Sequence, residues 1–227
     1  MDKVIIIGGK GTAVVTAEQI YDAQHKHDSK VEFLGFAFDD ESFGKEINGF
    51  PILSKTKSVY EKYKKYSDVK FIFQLYRFDK IEERINLLKS YNIPDEKYYS
   101  FVHPSCVISK SAKIGVGTTI LAHTVVNPNA IIGNHCTILT HVTVGHDANV
   151  GDYNFFATHS IISNLKMGNG NFIGINASTN NFITIGDYCF VGMASNVTKS
   201  LTSRMKVYGN PAKPYEKKID PNKHLNR

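Results

Sequence analysis

The sequence of 227 residues has only three cysteines and no apolar run that approaches the length of a membrane span. Cys106, Cys136 and Cys189 form no CxxC pair, so no disulfide framework is predicted. A bilayer span would need about 18 consecutive apolar residues. Residues 4–8 follow Met1-Asp2-Lys3 directly, without a long apolar leader or a small-residue cleavage site, so we expect a cytoplasmic protein.

The middle of the sequence has very few charged residues. Residues 1–100 carry 16 basic and 16 acidic groups, and residues 101–198 carry three of each. The net charge of +6 therefore comes from residues 199–227, which hold eight basic groups against two acidic ones. Such a segment is either a solvated tail or a cluster that contacts a phosphorylated ligand. A nucleic-acid site is disfavoured, because no basic stripe or stacking platform extends the cluster.

A six-residue repeat runs from residue 108 to residue 197. Thirteen of its sixteen repeat positions are Ile or Val, although the chain has only 40 such residues. Chance would supply about three. The sixteen positions are Ile108, Ile114, Ile120, Val126, Ile132, Ile138, Val144, Val150, Phe156, Ile162, Met167, Ile173, Thr179, Ile185, Val191 and Val197.

A period of six fits short strands joined by tight corners, with one large side chain pointing inward per strand. Small residues dominate two places before the repeat position, and all three cysteines stand there, so we expect them to be structural. Gly follows the repeat residue eight times and relieves the backbone at the corner. The pattern resembles the left-handed parallel β-helix of bacterial hexapeptide-repeat acyltransferases, with about five coils.

The first hundred residues predict a small α/β domain of the Rossmann-like kind. Residues 3–7, 31–38 and 69–73 indicate strands, residues 79–91 a helix, and another helix begins near Thr12 or Thr16. This order implies a parallel sheet with a nucleotide-type crevice at its strand ends. We therefore divide the chain into an α/β domain (1–100), a β-helix (101–200) and a basic C-terminal tail (201–227).

Six short segments resemble the sugar acyltransferases that include the sialic acid O-acetyltransferase and the bacillosamine-pathway N-acetyltransferase. They are residues 4–8, Asp39-Asp40, His103-Pro104, residues 144–147, residues 173–176 and residues 209–213. The sequence departs from that group at Phe38, at Lys10-Gly11-Thr12, at residues 74–77, at Phe155 and at Asn164.

The resemblance implies an acetyl-CoA-dependent transfer to a nucleotide-linked amino sugar in bacterial surface-glycan biosynthesis, for example a 4-amino-4,6-dideoxy sugar. It implies a homotrimer with the active site between subunits, a direct transfer without acyl-enzyme, and His146-Asp147 as general base and partner. It places the acceptor at Gly8, Lys10, Gly11, Asp39 and Asp40. We expect acetyl-CoA to contact Asn164, Gly174, Gly209, Pro211 and Ala212. Because the excess positive charge lies in residues 199–227, we expect Lys199, Lys206 and Lys213 to contact its phosphates. Arg204 is a further candidate for the phosphates.

Three alternatives stay open at this point. An O-acetyltransferase of the sialic-acid type would use the same His146 on a hydroxyl group. A γ-type carbonic anhydrase is also a hexapeptide trimer, and His141, His146 and His123 together with an open position would suit zinc. The third alternative is a trimeric scaffold without catalytic activity. For the acyltransferase we expect no bound metal, no nucleic-acid partner and no membrane partner.

Overall fold

The computed structural model describes residues 1–215, so the end of the basic tail, residues 216–227, lies outside the described residues. The chain begins with a five-stranded sheet in the order β3-β4-β2-β1-β5, parallel except for β3. Its strands are β1 (Asp2–Ile7), β2 (Val31–Ala37), β3 (Glu46–Ile47), β4 (Phe50–Ser54) and β5 (Val69–Phe73). The helices are α1 (Thr12–Lys26), α2 (Val59–Tyr63) and α3 (Ile81–Ser90).

The three strands and two helices predicted for this part are confirmed, with bounds that differ by one or two residues. Helix α1 packs mainly through small residues, since Ala13, Ala17 and Ala23 are fully buried together with the larger Ile20. Their spacing of three and four residues forms one stripe, and short side chains let the helix lie close to the sheet.

The hairpin of β3 and β4 and the helix α2 were not predicted from the sequence. The hairpin turns at Asn48-Gly49, where both residues have positive φ (51° and 78°), as a two-residue type I′ turn requires. The Asn-Gly pair is thus the sequence signal that identifies this hairpin. It adds strand β4 beside β2 at the edge of the parallel sheet.

From residue 101 the chain forms a parallel β-helix with three faces. The first face contains β6 (Phe101–Val102), β9 (Thr119–Ile120), β12 (Thr137–Ile138), β15 (Phe155–Phe156), β18 (Phe172–Ile173), β21 (Phe190–Val191), β23 (Lys206–Tyr208) and β24 (Lys213–Pro214). The second face contains β7 (Val107–Ile108), β10 (Val125–Val126), β13 (Thr143–Val144), β16 (Ile161–Ile162), β19 (Ser178–Thr179) and β22 (Asn196–Val197). The third face contains β8 (Lys113–Ile114), β11 (Ile131–Ile132), β14 (Asn149–Val150), β17 (Lys166–Met167) and β20 (Thr184–Ile185).

These stacked sheets fit the left-handed β-helix that the repeat predicts. Fourteen of the sixteen repeat residues are buried, and the other two, Ile108 and Ile114, pack partly buried against the same core. Cys136 and Cys189 are buried and Cys106 is half-buried. Burial raises the pKa of the Cys136 thiol to about 12, so this cysteine behaves as a small apolar side chain.

Most corners of the β-helix contain one residue with positive φ, three positions after the inward-pointing repeat residue. His123, His141 and His159 occupy this position on the corner between the first and second faces. Their rings stack, with centroids 5.0 and 4.8 Å apart. Asp147 occupies it on the corner between the second and third faces, which we call the second corner.

The tail does not separate from the β-helix over its described part. Strand β23 extends the first face in parallel, and β24 pairs with it in antiparallel fashion. The intervening turn, residues 209–212, includes a cis peptide bond before Pro211. Residues 201–215 therefore belong to the body of the β-helix.

The α/β domain packs on the first face of the β-helix through the segment after β5. Gln74 is buried, and its Nε2 donates to Thr119 Oγ1 (3.2 Å). The Tyr76 ring stacks on Phe155, with centroids 4.2 Å apart. Residues 74–77 and Phe155, where the sequence differs from the sugar acyltransferases, therefore lie together in this contact between the domains.

Candidate functional site

The second corner carries a column of residues, one per coil. Each stands two places after the repeat position on the second face. The column contains Lys110, Pro128, His146, Asn164, Asn181 and Lys199. Neighbouring strands of a sheet lie about 4.8 Å apart, so Asn164 is one coil from His146 and Lys199 is three coils, roughly 15 Å, away. The fold therefore brings His146, Asp147, Asn164 and Lys199 to one edge of the molecule.

His146 forms a short hydrogen bond with the next residue in the chain. Its Nδ1 lies 2.6 Å from Asp147 Oδ2. Because an ionised carboxylate only accepts hydrogen bonds, Nδ1 carries the proton and the lone pair of the neutral ring is on Nε2. The imidazole is 67% exposed, so Nε2 is accessible to a substrate.

Asp147 is held in place by two donors. Its Oδ1 accepts from Asn129 Nδ2 at 3.0 Å, one coil earlier on the same corner. The bonds from His146 and Asn129 lower the pKa of the Asp147 carboxyl below its usual value. Asp147 therefore stays ionised at neutral pH and fixes the tautomer and orientation of His146.

Asn164 lies directly beside the Gly145-His146 corner. A Cβ built at Gly145 would approach the Asn164 nitrogen to 3.1 Å, so a side chain at this position would crowd the next coil. The Asn164 N–H donates to Asn181 Oδ1 at 3.2 Å. An acyl oxygen at this position has to compete with that amide oxygen for the donor.

The residues expected to contact acetyl-CoA divide between two parts of the surface. Lys199 is on the His146 corner, and the turn 209–212 packs on β22, where the Ala212 N–H donates to Asn196 O (2.8 Å). Lys206 and Lys213 lie on β23 and β24 of the first face.

Gly174 is on the corner between the first and second faces, where a Cβ would collide with the backbone of residues 191–193. Gly174 is therefore required for stacking of the coils and is away from His146 within one chain.

The expected acceptor residues gather at the carboxyl end of β1 and β2. Gly8 and Gly11 have positive φ (140° and 53°) and lead into the N-terminus of α1. Lys10 Nζ lies 2.6 Å from Asp40 Oδ2, and this pair together with Ser42 lowers the pKa of Asp40 to about 2. The carboxylate of Asp39 instead accepts from Thr56 N (2.8 Å) and Thr56 Oγ1 (2.6 Å), so it also fixes the loop after β4.

Two aromatic rings cover the glycine loop and were not expected there. Phe38 lies against Gly9, where a Cβ would come within 2.5 Å of its ring. Lys10 Nζ is 5.8 Å from the centroid of Phe38 and 5.0 Å from that of Phe43. Beside them a cavity of about 370 Å³ is lined by Phe38, Asp40 and Lys55 among others. The position of Phe38 at the end of the second predicted strand is the sequence signal for this aromatic wall.

A second concave surface, an aromatic groove on the first face, was missed by the sequence analysis. Its rings are stacked or tilted against one another along the face, and Phe172 and Phe190 have centroids 4.9 Å apart. The cavity measures about 240 Å³ and includes the cationic side chains Arg204 and Lys206. Arg204 pairs with Glu82 near the start of α3. The spacing of 17 or 18 residues between Phe155, Phe172 and Phe190 is the signal that places them on one face.

The histidines of the zinc alternative are divided between two corners. His141 stacks between His123 and His159, whereas His146 is on the second corner. Within residues 1–215, one group of three potential metal ligands is found, and it consists of Asp22, His27 and His103. His123, His141 and His146 do not form such a group in the described chain. No helix among the described residues has the length and hydropathy of a bilayer span.

The fold is that of hexapeptide-repeat proteins that carry an N-terminal α/β domain, and comparison with solved structures agrees. No family model matches the sequence. No curated protein sequence matches it significantly.

The structural neighbours are sugar acyltransferases of the hexapeptide-repeat class. One is a mutant of perosamine N-acetyltransferase from Caulobacter crescentus in complex with CoA and GDP-perosamine, with a TM-score of 0.81 and 22% identity over 95% of this chain and 98% of the other. WeeI from Acinetobacter baumannii AYE gives a TM-score of 0.74 and 23% identity, covering 95% of this chain and all of the other. The acetyltransferase domain of PglB from Neisseria gonorrhoeae FA1090 gives 0.65 and 20%, with coverage of 95% and 100%. At these identities the likeness establishes the fold.

Proposed function

We propose that this protein transfers the acetyl group of acetyl-CoA to the amino group of a nucleotide-linked amino sugar. The observation that carries the proposal is the His146–Asp147 pair, whose accessible Nε2 can take a proton at an exposed corner of the β-helix. The Caulobacter protein of the same fold is in complex with CoA and GDP-perosamine, which supports the choice of both substrates.

The chemistry needs little beyond orientation, one base and one donor for the oxyanion. The neutral amine attacks the thioester carbonyl, and His146 Nε2 removes the proton that the nitrogen must lose. The carbon–sulfur bond then breaks, the amide forms, and the departing CoA thiolate takes up the proton. Because a thioester is already activated, a direct transfer requires no acyl-enzyme.

The oxyanion of the tetrahedral intermediate needs a hydrogen-bond donor near His146. The Asn164 N–H, one coil further along the corner, is our candidate. Its present acceptor, Asn181 Oδ1 at 3.2 Å, is a neutral oxygen. A developing negative charge makes the stronger hydrogen bond, so the donor favours the intermediate over the amide oxygen of Asn181.

We place acetyl-CoA along the second corner, with its thioester at His146 and its phosphates toward Lys199 and the turn 209–212. Three coils span roughly 15 Å, which suits a long extended cosubstrate. The exposed Phe182, which follows Asn181 on this corner, offers an apolar surface between the two ends. Lys206 and Lys213 remain candidates for the phosphates from the first face.

We place the nucleotide of the acceptor at the edge formed by Gly8, Lys10, Gly11, Asp39 and Asp40, as a Rossmann-like interpretation of the α/β domain implies. The N-terminus of α1 and Lys10 offer positive charge to a diphosphate. The Phe38 and Phe43 rings offer an apolar wall. Binding of the diphosphate would compete with Asp40 for Lys10.

We infer a homotrimer in which neighbouring subunits complete the site, because His146 is open to solvent in one chain. The second face exposes Val107 and Ile161. Met193 is also exposed, at the corner between the first and second faces, so apolar surface is available for a partner copy. Sedimentation equilibrium tests this. A mass of three 25.4 kDa chains is expected, and a monomer at all concentrations contradicts the shared site.

The activity is tested by thiol release from acetyl-CoA with a panel of nucleotide-linked sugars. The panel contains 4-amino-4,6-dideoxy sugars on GDP, UDP and dTDP, the corresponding 4-hydroxy sugars and a free amino sugar. Thiol release with an amino acceptor only, together with the mass of the acetylated product, supports the proposal. Release with the hydroxy sugars only identifies an O-acetyltransferase, and no release with any acceptor overturns the proposal.

A further inference from the structure

Three potential metal ligands from both domains meet at one point away from the proposed active site. Asp22 lies in the last part of α1, His27 caps the end of that helix, and His103 follows β6 in the first coil of the β-helix. Their ligand atoms all lie within 4.8 Å of one another. His103 is only 3% exposed, whereas Asp22 and His27 are partly open to solvent.

We propose that Asp22, His27 and His103 form a binding site for a divalent transition metal of the zinc class, which links the α/β domain to the β-helix. Two imidazoles and a carboxylate are a donor set that zinc commonly uses. The site is independent of the acetyl transfer, because none of its residues is in the proposed catalytic or substrate sites.

Two of the three distances between the donor atoms match tetrahedral coordination, and the third, between the two imidazoles, is within 4.8 Å. Asp22 Oδ2 lies 3.2 Å from His103 Nε2 and 3.5 Å from His27 Nε2. Zinc bonds of about 2.0–2.1 Å in a tetrahedron place neighbouring ligand atoms about 3.3 Å apart. The two imidazole rings are nearly perpendicular, at 81°, with centroids 5.3 Å apart. A small rotation of His27, which is on the surface, completes a three-ligand site with the fourth position open to water.

The surroundings of His103 provide the second hydrogen bond that a metal-binding histidine needs. When Nε2 binds a metal, Nδ1 carries the proton, and Ser105 Oγ at 2.8 Å is in place to accept it. Without metal the other tautomer is favoured, in which Nδ1 accepts from the Ser105 N–H (3.2 Å) and Nε2 donates to Asp22. Metal binding thus replaces one interdomain hydrogen bond by three coordinate bonds.

Lys26 is the group that competes with a metal for Asp22. Its Nζ contacts Asp22 Oδ1 at 2.6 Å, whereas the oxygen facing both histidines is Oδ2. The two oxygens are separate, so the ion pair and the metal can share one carboxylate. The Lys26 side chain is 75% exposed and is free to move away.

The test uses the full-length protein without an affinity tag, freed of metal by a chelator and titrated with Co²⁺ and Zn²⁺. We expect one ion per chain, a visible absorption band of four-coordinate Co²⁺ that Zn²⁺ removes, and a higher Tm with Zn²⁺. His27→Ala should weaken binding at least about tenfold and abolish the rise in Tm. His25→Ala is the matched control, since it removes a histidine from the same helix end that is outside the group.

The results separate the possibilities without use of the acetyl-transfer assay. His27 is at the surface, so its variant is expected to fold, and an unchanged Tm without metal checks this. Equal binding by the wild-type protein, His25→Ala and His27→Ala would assign the metal to another site and overturn the proposal. Absence of stoichiometric binding by the wild-type protein overturns it as well.

Discussion

At the scale of single residues, what distinguishes His146 among the histidines at the corners of the β-helix is its partner rather than its burial. His123, His141 and His159 stack on one another, and His135 packs edge-on against Tyr98. His146 alone among these corner histidines has a carboxylate on Nδ1, with Nε2 open to solvent. For the proposed transfer, this arrangement would provide a base whose tautomer is already correct before the substrate arrives.

Replacing His146 should remove the base and leave the cosubstrate site intact. We expect His146→Ala to lower kcat by about 10²-fold or more with little change in the KM for acetyl-CoA. Steady-state kinetics of thiol release measure this. His141→Ala, also a corner histidine, is the control. The assignment of the base is wrong if that control loses activity and His146→Ala does not.

The pH dependence of the transfer should have a single acid limb from the imidazole. Protonation of His146 removes its free lone pair, so kcat should fall as the pH is lowered. The pKa of Asp147 is already lowered by His146 and Asn129, so this carboxylate stays ionised in that range and adds no second limb. A kcat profile between pH 5 and 8 that shows two acid limbs would contradict this separation of roles.

Lys10 should act on the acceptor and not on acetyl-CoA. Loss of its charge removes a contact to the diphosphate, so Lys10→Ala should raise the KM for the nucleotide sugar about 10-fold or more. Lys3→Ala is the matched control, because Lys3 pairs with Asp68 at the opposite end of β1. If both variants raise this KM equally, or if neither does, the acceptor is not bound at the glycine loop.

At the scale of elements, the second corner connects the proposed base to the basic end of the chain. It places Lys199 three coils after His146, and it also places Lys110 two coils before it. The two lysines are both exposed and lie on opposite sides of the base. Replacing each lysine in turn therefore tests in which direction along the corner CoA extends from His146.

We expect Lys199→Ala to raise the KM for acetyl-CoA about 10- to 100-fold at low salt, as the loss of one charge-assisted phosphate contact predicts. The effect should shrink at high salt because counterions screen the contact. Lys110→Ala should leave this KM unchanged. The reverse result would place the phosphates toward the N-terminal end of the β-helix.

At the scale of the whole molecule, the contact between the two domains decides how the α/β domain is held. Tyr76 is partly buried, with its ring stacked on Phe155 and its hydroxyl oxygen inaccessible to solvent. Burial raises the pKa of this hydroxyl. Within the described residues that hydroxyl has no hydrogen-bond partner. A buried polar group without a partner destabilises the folded protein, so this contact is held by stacking and by Gln74.

Tyr76→Phe should therefore maintain or increase stability, by up to about 1–3 kcal/mol in the free energy of unfolding. Chemical denaturation measures the change. Tyr66→Phe, at an exposed position, should stay within about 0.5 kcal/mol of the wild-type protein. A loss of stability in Tyr76→Phe would mean that a bound water satisfies the hydroxyl in solution.

The β-helix and its core were determined by the sequence alone, because the hexapeptide pattern is local and repeats. Each inward Ile or Val contacts the same position one coil away, so the burial of Val144 or Ile162 follows from periodicity without any long-range information. The strands β1, β2 and β5 were likewise predictable, because each is a predominantly apolar segment. His146 and Asp147 were predicted as a pair from a motif, and the structure adds the hydrogen bond between them, while their catalytic role stays a prediction.

Only the tertiary structure decided how distant segments meet, since no local pattern encodes a contact between domains. The contacts of Gln74 and Tyr76 on the first face depend on how the α/β domain docks, and the aromatic groove depends on how the coils align. Lys10 meets Asp40 and two phenylalanine rings because the loops after β1 and β2 lie side by side. Asp22, His27 and His103 are the clearest case. His103 is 81 residues from Asp22 in the chain, and these side chains become neighbours only because helix α1 lies against the first coil of the β-helix.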